Sequence, residues 1–599
     1  MMQSSGKPKR GKQATPVAII GMGCMFPKAG NLEAYWANIR EGVDAITPVP
    51  DSHWNLNDYL DSDPKRPDKT YAARGGFISP VDFDPLEFGI SPKDIEATDT
   101  TQLLGMVAAR QALMDAGYGH GREFDRLRTS IILGVTGTLE LVIPLGARLG
   151  HPIWRQALKD AGVSSDVSED VVQRISDSYV EWQENSFPGL LGNVAAGRIA
   201  NRLDLGGTNC VVDAACASSL GAVHLAQMEL EAGRSDMVIT GGVDTFNDIF
   251  MYMCFSKTPA LSPSGDARPF SSNADGTMLG EGLGLVVMKR LEDAERDNDR
   301  IYAVIRGMGT SSDGKGNAVY APSSEGQVRA LKDAYATANV TPDTIELVEA
   351  HGTGTKVGDA AEFRALSEVY QESGRKGSWC NLGSIKSQIG HTKAASGVAG
   401  LIKAVMALHR KVLPPTIKID RPLADAETSP FYLNNLPRPW LGSEKHPRRA
   451  AVSAFGFGGS NFHCVLEESP TNSSQVDWDG KVQILVCSSD RKEDLLSFNS
   501  ELSGLADWES VRRFGARSRE QFNVGQTHRL VYSLNQDTVD LKGLCKKVSQ
   551  KFNDEGDAGN WSLENNVFFG MGKAEGEAVF LFPGQGSQSV GMFAWWAKS

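Results

Sequence analysis

Cys216 stands in VVDAACASSLGAVHLAQMELEAG (211–233), where an apolar strand meets a small-residue turn and then a long helical pattern. That order puts the thiol at a helix N-terminus, where unpaired N–H groups and the macrodipole favour the thiolate without an adjacent base. The alternative is a buried structural cysteine, the usual state of a free thiol; the Ser/Ala-rich elbow favours the nucleophile. His351 ends an apolar strand in EAHGTGTKVGDAAEF (349–363), where Thr353, Thr355, Asp359 and Glu362 follow in a glycine-rich turn. His391 follows Lys386 in NLGSIKSQIGHTKAASG (381–397), ahead of a small-residue helix. A single histidine is more often structural, but two at matching strand ends point to proton or donor chemistry. In AVSAFGFGGSNFHCVLEE (451–468) the glycines let backbone approach a ligand, and the amides could stabilise an oxyanion; the alternative is a tight turn between strands.

Three other patterns are set aside. GMGCMF (21–26) begins like a dinucleotide motif, but Phe26 stands where the third glycine belongs. GTGTKVGD lacks the GK[ST] ending of a phosphate loop. His463 and Cys464 are neighbours on a strand and so face opposite sides, which reads as packing and not as a metal site.

These residues must be positioned by strands and helices, and from Val17 to about Glu468 the chain repeats strand, glycine-rich turn and helix without a Ser/Pro-rich break. Strands are expected at VAIIG (17–21), SIILGV (130–135), CVVDA (210–214), MVITGG (237–242), GLVVMKR (284–290), IELVEA (345–350) and CVLEE (464–468). Residues 151–186 read as a helical insertion capping one end, with Ile153, Leu158, Val172, Ile175, Tyr179 and Trp182 near helical spacing. SPTNSSQVDWDG (469–480) reads as a linker, and 481–572 as a smaller α/β unit without a catalytic cluster. AVFLFPGQGSQSVGM (578–592) is a strand entering a glycine-rich turn.

With 61 Lys plus Arg against 73 Asp plus Glu, the net charge of −12 argues against nucleic-acid binding. No apolar run reaches the roughly 18 residues of a membrane span. The basic start (Lys7, Lys9, Arg10, Lys12) before VAIIGMGCMF lacks a cleavage site, so residues 1–15 read as a flexible tail and not as a signal peptide. The eight cysteines are scattered with no CxxC pair, which fits a reducing, cytoplasmic setting and no zinc.

Cys216 in DAACASS, His351 in EAHGTGT, His391 in KSQIGHTKAASG and the GFGGSN loop together resemble the β-ketoacyl synthase family of fatty-acid and polyketide synthases. Within it, LGVTGTLELVIPLGARLG, GNVAAGRIANRLDLGGTNC and DIFMYMCFSKTPA are most similar to the first ketosynthase of bacterial-type polyunsaturated-fatty-acid synthases, with enediyne-type polyketide synthases close behind. The resemblance implies an α/β thiolase fold over 16–468, five αβαβα layers in two similar halves, followed by a ketosynthase–acyltransferase linker domain (469–576). FPGQGSQ resembles an acyltransferase opening (577–599), and no GHSxG nucleophile is present.

The resemblance also implies roles. Cys216 would accept an acyl chain from the phosphopantetheine of an acyl carrier protein. His351 and His391 would hold the malonyl thioester and stabilise the enolate left by carbon dioxide. The amides of Cys216 and Phe457 would form the oxyanion hole, with Phe457 gating the acyl pocket and Phe455 and Asn461 in support. Glu362 and Asp359 would position Lys386 electrostatically, and Thr353 and Thr355 would bind pantetheine. No cofactor bound by the chain itself and no metal is implied; a homodimer pairing near CVVDA is. Two other readings stand beside it: a thiolase acting on coenzyme A thioesters, and a catalytically silent dimerisation or carrier-docking scaffold.

Overall fold

The computed structural model describes residues 14–119, 122–137, 139–315, 318–423, 428–443, 445–469, 481–523, 525–555, 559–564 and 566–572. Most of the expected tail, the linker core 470–480 and the 577–599 segment lie outside these residues. The chain divides at Ser473/Ser474 into two compact units.

The larger unit is one arrangement used twice. Its first half contains β1 (Val17–Met25), β2 (Thr129–Gly134), β3 (Asn209–Val212), β4 (Met237–Asp244) and β5 (Gly282–Arg290). Its second contains β6 (Ala303–Ser312), β7 (Leu347–Glu349), β8 (Cys380–Gly383), β9 (Arg449–Gly456) and β10 (Ser460–Glu468). The spatial orders β3-β2-β4-β5-β1 and β8-β7-β9-β10-β6 are the same pattern. In each, the second strand runs parallel to the third and fourth, and the fifth runs antiparallel to the fourth and first. The halves meet at β1 and β6 over only Val17↔Ile305, Ala18↔Val304 and Ile19↔Ala303. Phe431–Leu433 adds an eleventh strand beside β8.

Helix α1 (Thr100–Asp115) covers the outer face of β1 and β5, while α3 (Ser324–Ala338), with α4 (Lys356–Gln371) against it, covers β6 and β10. Between the halves lie α2 (Ser218–Glu231), packed on β4 and touching β10, and α5 (Ser396–Arg410), packed on β9 and touching β5. These are the five layers of the thiolase fold. α5 is buried from Ser396 to His409, as a helix apolar on nearly all sides must be. Its one buried cation, Lys403, is paired with Glu349 at 2.6 Å.

β1 is longer than VAIIG predicts, continuing through Gly21 and Gly23 to Met25. These glycines are there because α1 presses on the strand: a Cβ on Gly23 would lie 2.4 Å from the Ala108 carbonyl oxygen. β6, β8 and β9 carry no strand expectation. β8 is only four residues long, β6 (AVIRGMGTSS) breaks its apolar pattern with Arg and Gly, and β9 is built largely of small residues. In the insertion, helices His151–Asp160 and Ser165–Ser176 form and pack on each other, with Val142–Arg148 just before it and Ser186–Leu190 at its end. Val172 is buried there, whereas Ile153 and Trp182 are exposed.

His463 is wholly buried in a hydrogen-bonded chain: its Nε2 lies 3.0 Å from Tyr335 Oη, which lies 2.7 Å from Tyr370 Oη, and its Nδ1 lies 2.9 Å from Ser453 Oγ. Cys464, the next residue on the strand, is wholly buried on the opposite face. Burial pushes the His463 pKa down to about 3, so the folded protein keeps the ring neutral while the unfolded chain protonates it below about 6.5. Its stabilising contribution is therefore full above pH 6.5 and lost as pH falls toward 3. In urea unfolding, the stability advantage of the parent over His463→Gln is expected to shrink between pH 7 and pH 5. An advantage constant across that range would contradict a neutral buried ring.

The smaller unit has an antiparallel sheet ordered Val482–Ser489, His528–Asn535, Val567–Met571, Trp561–Leu563. Leu485, Leu530, Tyr532 and Phe569 face a core shared with helices Lys492–Ser503, Trp508–Gln521 and Leu541–Glu555, while Val482, Ile484 and Phe568 are exposed. Among the described residues no helix is long and apolar enough to cross a membrane.

Candidate active site

Cys216 sits in a single 3₁₀ turn, Ala215–Ala217, between β3 and α2. Ala215 is left-handed at φ 50°, a costly conformation for a residue with a side chain. Asp213 stabilises the turn by accepting from the Ala215 and Gly137 amides and the Thr136 hydroxyl. The second half repeats the device: the turn Lys393–Ala395 precedes α5, with Lys393 at φ 47°. The two elbows are bonded to each other, Ser396 Oγ donating to the Cys216 carbonyl at 2.9 Å and the Val398 amide donating to Ser219 Oγ at 3.0 Å.

The expectation of a lowered thiol pKa does not hold. Burial pushes Cys216 up to about 11, and Lys386, the Phe457 amide and Lys393 pull it back only in part. The helix proper begins two residues later, at Ser218, and desolvation is the largest influence on the sulfur.

His351 and His391 meet edge to face, ring centroids 5.4 Å apart, beside Phe455, whose ring lies 5.8 Å from that of His351. Burial and the nearby Lys386 hold both imidazoles well below the usual histidine range, so both are neutral. His391 Nδ1 accepts from the Lys393 amide at 3.1 Å, which leaves the ring proton on Nε2. His351 Nδ1 is buried without a hydrogen-bond partner.

Glu362 and Asp359 interact electrostatically with Lys386, as the resemblance implies, and have another role besides. Glu362 accepts from the His351 and Gly352 amides at 2.8 and 2.7 Å; Asp359 accepts from Phe270 and Gly354 at 2.8 and 3.1 Å. Both are first of all braces for the histidine loop. Burial pushes each carboxyl up to about 7. Lys386 is buried, its pKa lowered by desolvation and supported by Glu349 ahead of Glu362 and Asp359. Among the described residues it has no ion-pair partner within 4 Å.

Phe455, Phe457 and Asn461 come from the β9–β10 hairpin. The register runs from Arg449↔Glu467 to Gly456↔Ser460, leaving Phe457, Gly458 and Gly459 as the tip. Asn461 Nδ2 donates to Asp313 Oδ1 at 2.7 Å, tying the tip to the end of β6. Gly456 passes directly over the nucleophile turn, where a Cβ would lie 2.0 Å from the Ala214 carbonyl oxygen. Gly456→Ala is therefore expected to push the hairpin off the Cys216 turn and lower turnover about a hundredfold, the scale of an ångström's misplacement of reacting groups. Turnover within threefold of the parent would contradict this contact.

Cys216, His351, His391, Phe455, Phe457 and Asn461 all line one cavity of about 500 Å³. Thr353 and Thr355 stand on its wall, their hydroxyls 2.9 Å apart, and Phe457 is half exposed at the rim with its ring 6.4 Å from that of Phe255. Every predicted site residue lines the cavity except Asp359, in the first turn of α4, and Lys386, in the short helix Lys386–Ile389 that leads to His391.

The overall arrangement matches a solved ketosynthase from module 6 of the bacillaene synthase of Bacillus subtilis 168, with a TM-score of 0.65 and 30% identity over 93% of this chain and 87% of that one. The chain belongs to the β-ketoacyl synthase family. The family's N-terminal domain model matches residues 14–294, its C-terminal domain 302–420 and the ketoacyl-synthetase C-terminal extension 425–517, so the extension runs across the segment read as a linker. This ketosynthase is also similar to a PfaC keto synthase–chain length factor structure, with a TM-score of 0.67 and 30% identity over 79% of this chain and 50% of that one. Among curated proteins it is 37% identical over 98% of its length to a polyunsaturated fatty acid synthase polypeptide of a Thraustochytrium species. It is 38% identical over 76% of its length to a phenolphthiocerol/phthiocerol polyketide synthase polypeptide of Mycobacterium tuberculosis. The chain spans about a fifth of the length of these curated relatives (22% and 23%).

Proposed function

We propose that this ketosynthase condenses an acyl chain held on Cys216 with a malonyl thioester, in the service of a polyunsaturated-fatty-acid or polyketide synthase. The observation that carries the reading is one cavity holding a thiol, two neutral histidines and the Phe457 amide. An acyl thioester on the phosphopantetheine of an acyl carrier protein transfers its acyl group to Cys216, and the thiol proton leaves with the pantetheine thiol. A malonyl thioester then occupies the arm site beside Thr353 and Thr355. His391 Nε2–H and His351 donate to its carbonyl oxygen and stabilise the enolate formed as carbon dioxide departs. The enolate attacks the acyl-Cys216 carbonyl, whose oxygen is held by the Cys216 and Phe457 amides. Collapse expels the Cys216 thiolate, which takes up one proton from solvent.

The test is intact mass after incubation with acyl carrier proteins of graded chain length, followed by labelled carbon dioxide release from malonyl carrier protein. An acyl adduct confined to Cys216 supports the reading; turnover without such an adduct sinks it. A thiolase would place a second reactive cysteine near the β9–β10 loop, whereas Cys464 is fully buried along β10 with its pKa raised by desolvation.

Residues 16–468 would form the condensing domain, 469–576 the ketosynthase–acyltransferase linker domain and 577–599 the opening of an acyltransferase. The homodimer would pair β3 with its copy. β3 is an edge strand whose Cys210, Val211 and Val212 are only half-buried, a surface that otherwise invites aggregation. Sedimentation is expected to give a dimer at micromolar concentration; a monomer throughout would exclude this pairing.

A further inference from the structure

Asp244, at the end of β4, and Lys393, two residues beyond His391, are buried beside the cavity, and the condensation proposed above does not use them. Lys393 Nζ lies 3.1 Å from Asp244 Oδ1, with side chains 3% and 5% exposed. It also donates to the Gly280 carbonyl at 2.8 Å. Asp244 in turn accepts from the Ala394 amide on Oδ2 at 3.2 Å and from the Phe246 amide on Oδ1 at 3.2 Å. The Gly280 amide donates to the His391 carbonyl at 3.0 Å. Lys393, Ala394 and Gly280 thereby tie the turn that carries His391 to the strand entering β5 and to the end of β4.

The turn needs holding. Lys393 is left-handed at φ 47°, where glycine or asparagine would be at ease and a lysine is strained. That strained peptide is the one whose N–H reaches His391 Nδ1 at 3.1 Å. A ring nitrogen accepting a backbone N–H cannot carry a proton, so the bond selects the tautomer protonated at Nε2. A lysine at this backbone conformation makes sense when its side chain anchors the turn across the interface of the two halves.

We infer that Asp244 and Lys393 form a positioning couple that holds the 391–394 turn so that His391 presents Nε2–H to the substrate. The inference rests on the condensing reading for its kinetic consequence, and on geometry alone for the tautomer. The pair also carries charge toward the nucleophile: Lys393 lowers the Cys216 pKa and Asp244 raises it, alongside the larger influence of Lys386.

The deciding variant is the neutral pair Asp244→Asn/Lys393→Met, because removing one partner alone strands a buried charge and endangers folding. With circular dichroism and acyl-Cys216 formation retained, its kcat for carbon dioxide release from malonyl carrier protein is expected to fall about a hundredfold with KM little changed. The ¹⁵N spectrum of His391 is expected to shift from a single Nε2–H species to a mixture of tautomers. A folded double variant with parental kcat, or one with His391 still in the single Nε2–H form, overturns the inference. If the parent itself released no carbon dioxide, the condensing reading would fail, and the ring spectrum would still decide the role of the couple. Should the double variant not fold, the milder Asp244→Asn keeps a hydrogen-bond acceptor for Lys393 but sets Nδ2–H2 against the Ala394 amide, and a folded Asp244→Asn with parental kcat and a single Nε2–H species likewise overturns the inference.

Discussion

Cys216→Ala is expected to abolish condensation, on the order of a 10⁶-fold loss, the scale of removing a nucleophile outright. Cys216→Gln is expected to lose condensation equally while keeping or raising carbon dioxide release. Its amide oxygen can occupy the oxyanion position between the amides of residue 216 and Phe457 and imitate the acyl-enzyme carbonyl. Intact mass and labelled carbon dioxide separate the two outcomes, and condensation surviving in Cys216→Ala would remove the thiol from the mechanism. The raised thiol pKa adds a pH signature to the parent. With the thiol pushed up to about 11, the neutral form is favoured in the fold, so the stability this provides is present below about 8.5 and lost as pH rises toward 11. Alkylation of Cys216 should accordingly keep accelerating through pH 9. A plateau near pH 7 would mean a thiolate stabilised by the helix start after all.

The second large effect is on decarboxylation. His391→Ala removes the Nε2–H donor that the Lys393 amide selects, and losing one preorganised donor to a developing oxyanion costs about 2 to 4 kcal/mol, a hundredfold or more in rate. His351→Ala is expected to behave alike. Acylation of Cys216 should survive both changes, because the thiol proton departs with pantetheine and His391 Nδ1 is already engaged. If His391→Ala abolished acylation and left carbon dioxide release intact, the ring would be a base for the thiol and the division of roles would be reversed. Neither histidine becomes charged until well below pH 6.5, so decarboxylation should not be lost through imidazole protonation at pH 6.

What the sequence revealed and what it hid follow from the range of the forces involved. DAACASS, EAHGTGT, KSQIGHTKAASG and GFGGSN are local strings, and each folds into the turn its small residues permit. Their convergence on one cavity was legible only through family resemblance, since turns so far apart along the chain are joined by sheet order and not by spacing. The thiol pKa was misjudged because helix starts are visible in a sequence and desolvation is not. Glu362 and Asp359 do couple electrostatically to Lys386, but their hydrogen bonds go to loop amides, whose direction no residue type announces. Asp244 and Lys393 were missed altogether. The one signal that could have found Lys393 is the echo between DAACASS and HTKAASG, which aligns it with the strained Ala215. β6, β8 and β9 escaped because short or small-residue strands acquire their burial from neighbours in the sheet.

The repeated elbow has a consequence for how the molecule comes together. The first half of the large unit contributes the sulfur; the second contributes both imidazoles, Lys386 and the Phe457 amide. The three-pair seam at β1 and β6, the bonds between the two helix starts, and the contacts of Lys393 with Asp244 and of Gly280 with His391 bring these groups into one place. Each half has its own strands and outer helices, but neither alone holds all the reacting groups. Chemical competence is thus a property of the docking of the two halves, and neither half holds it alone.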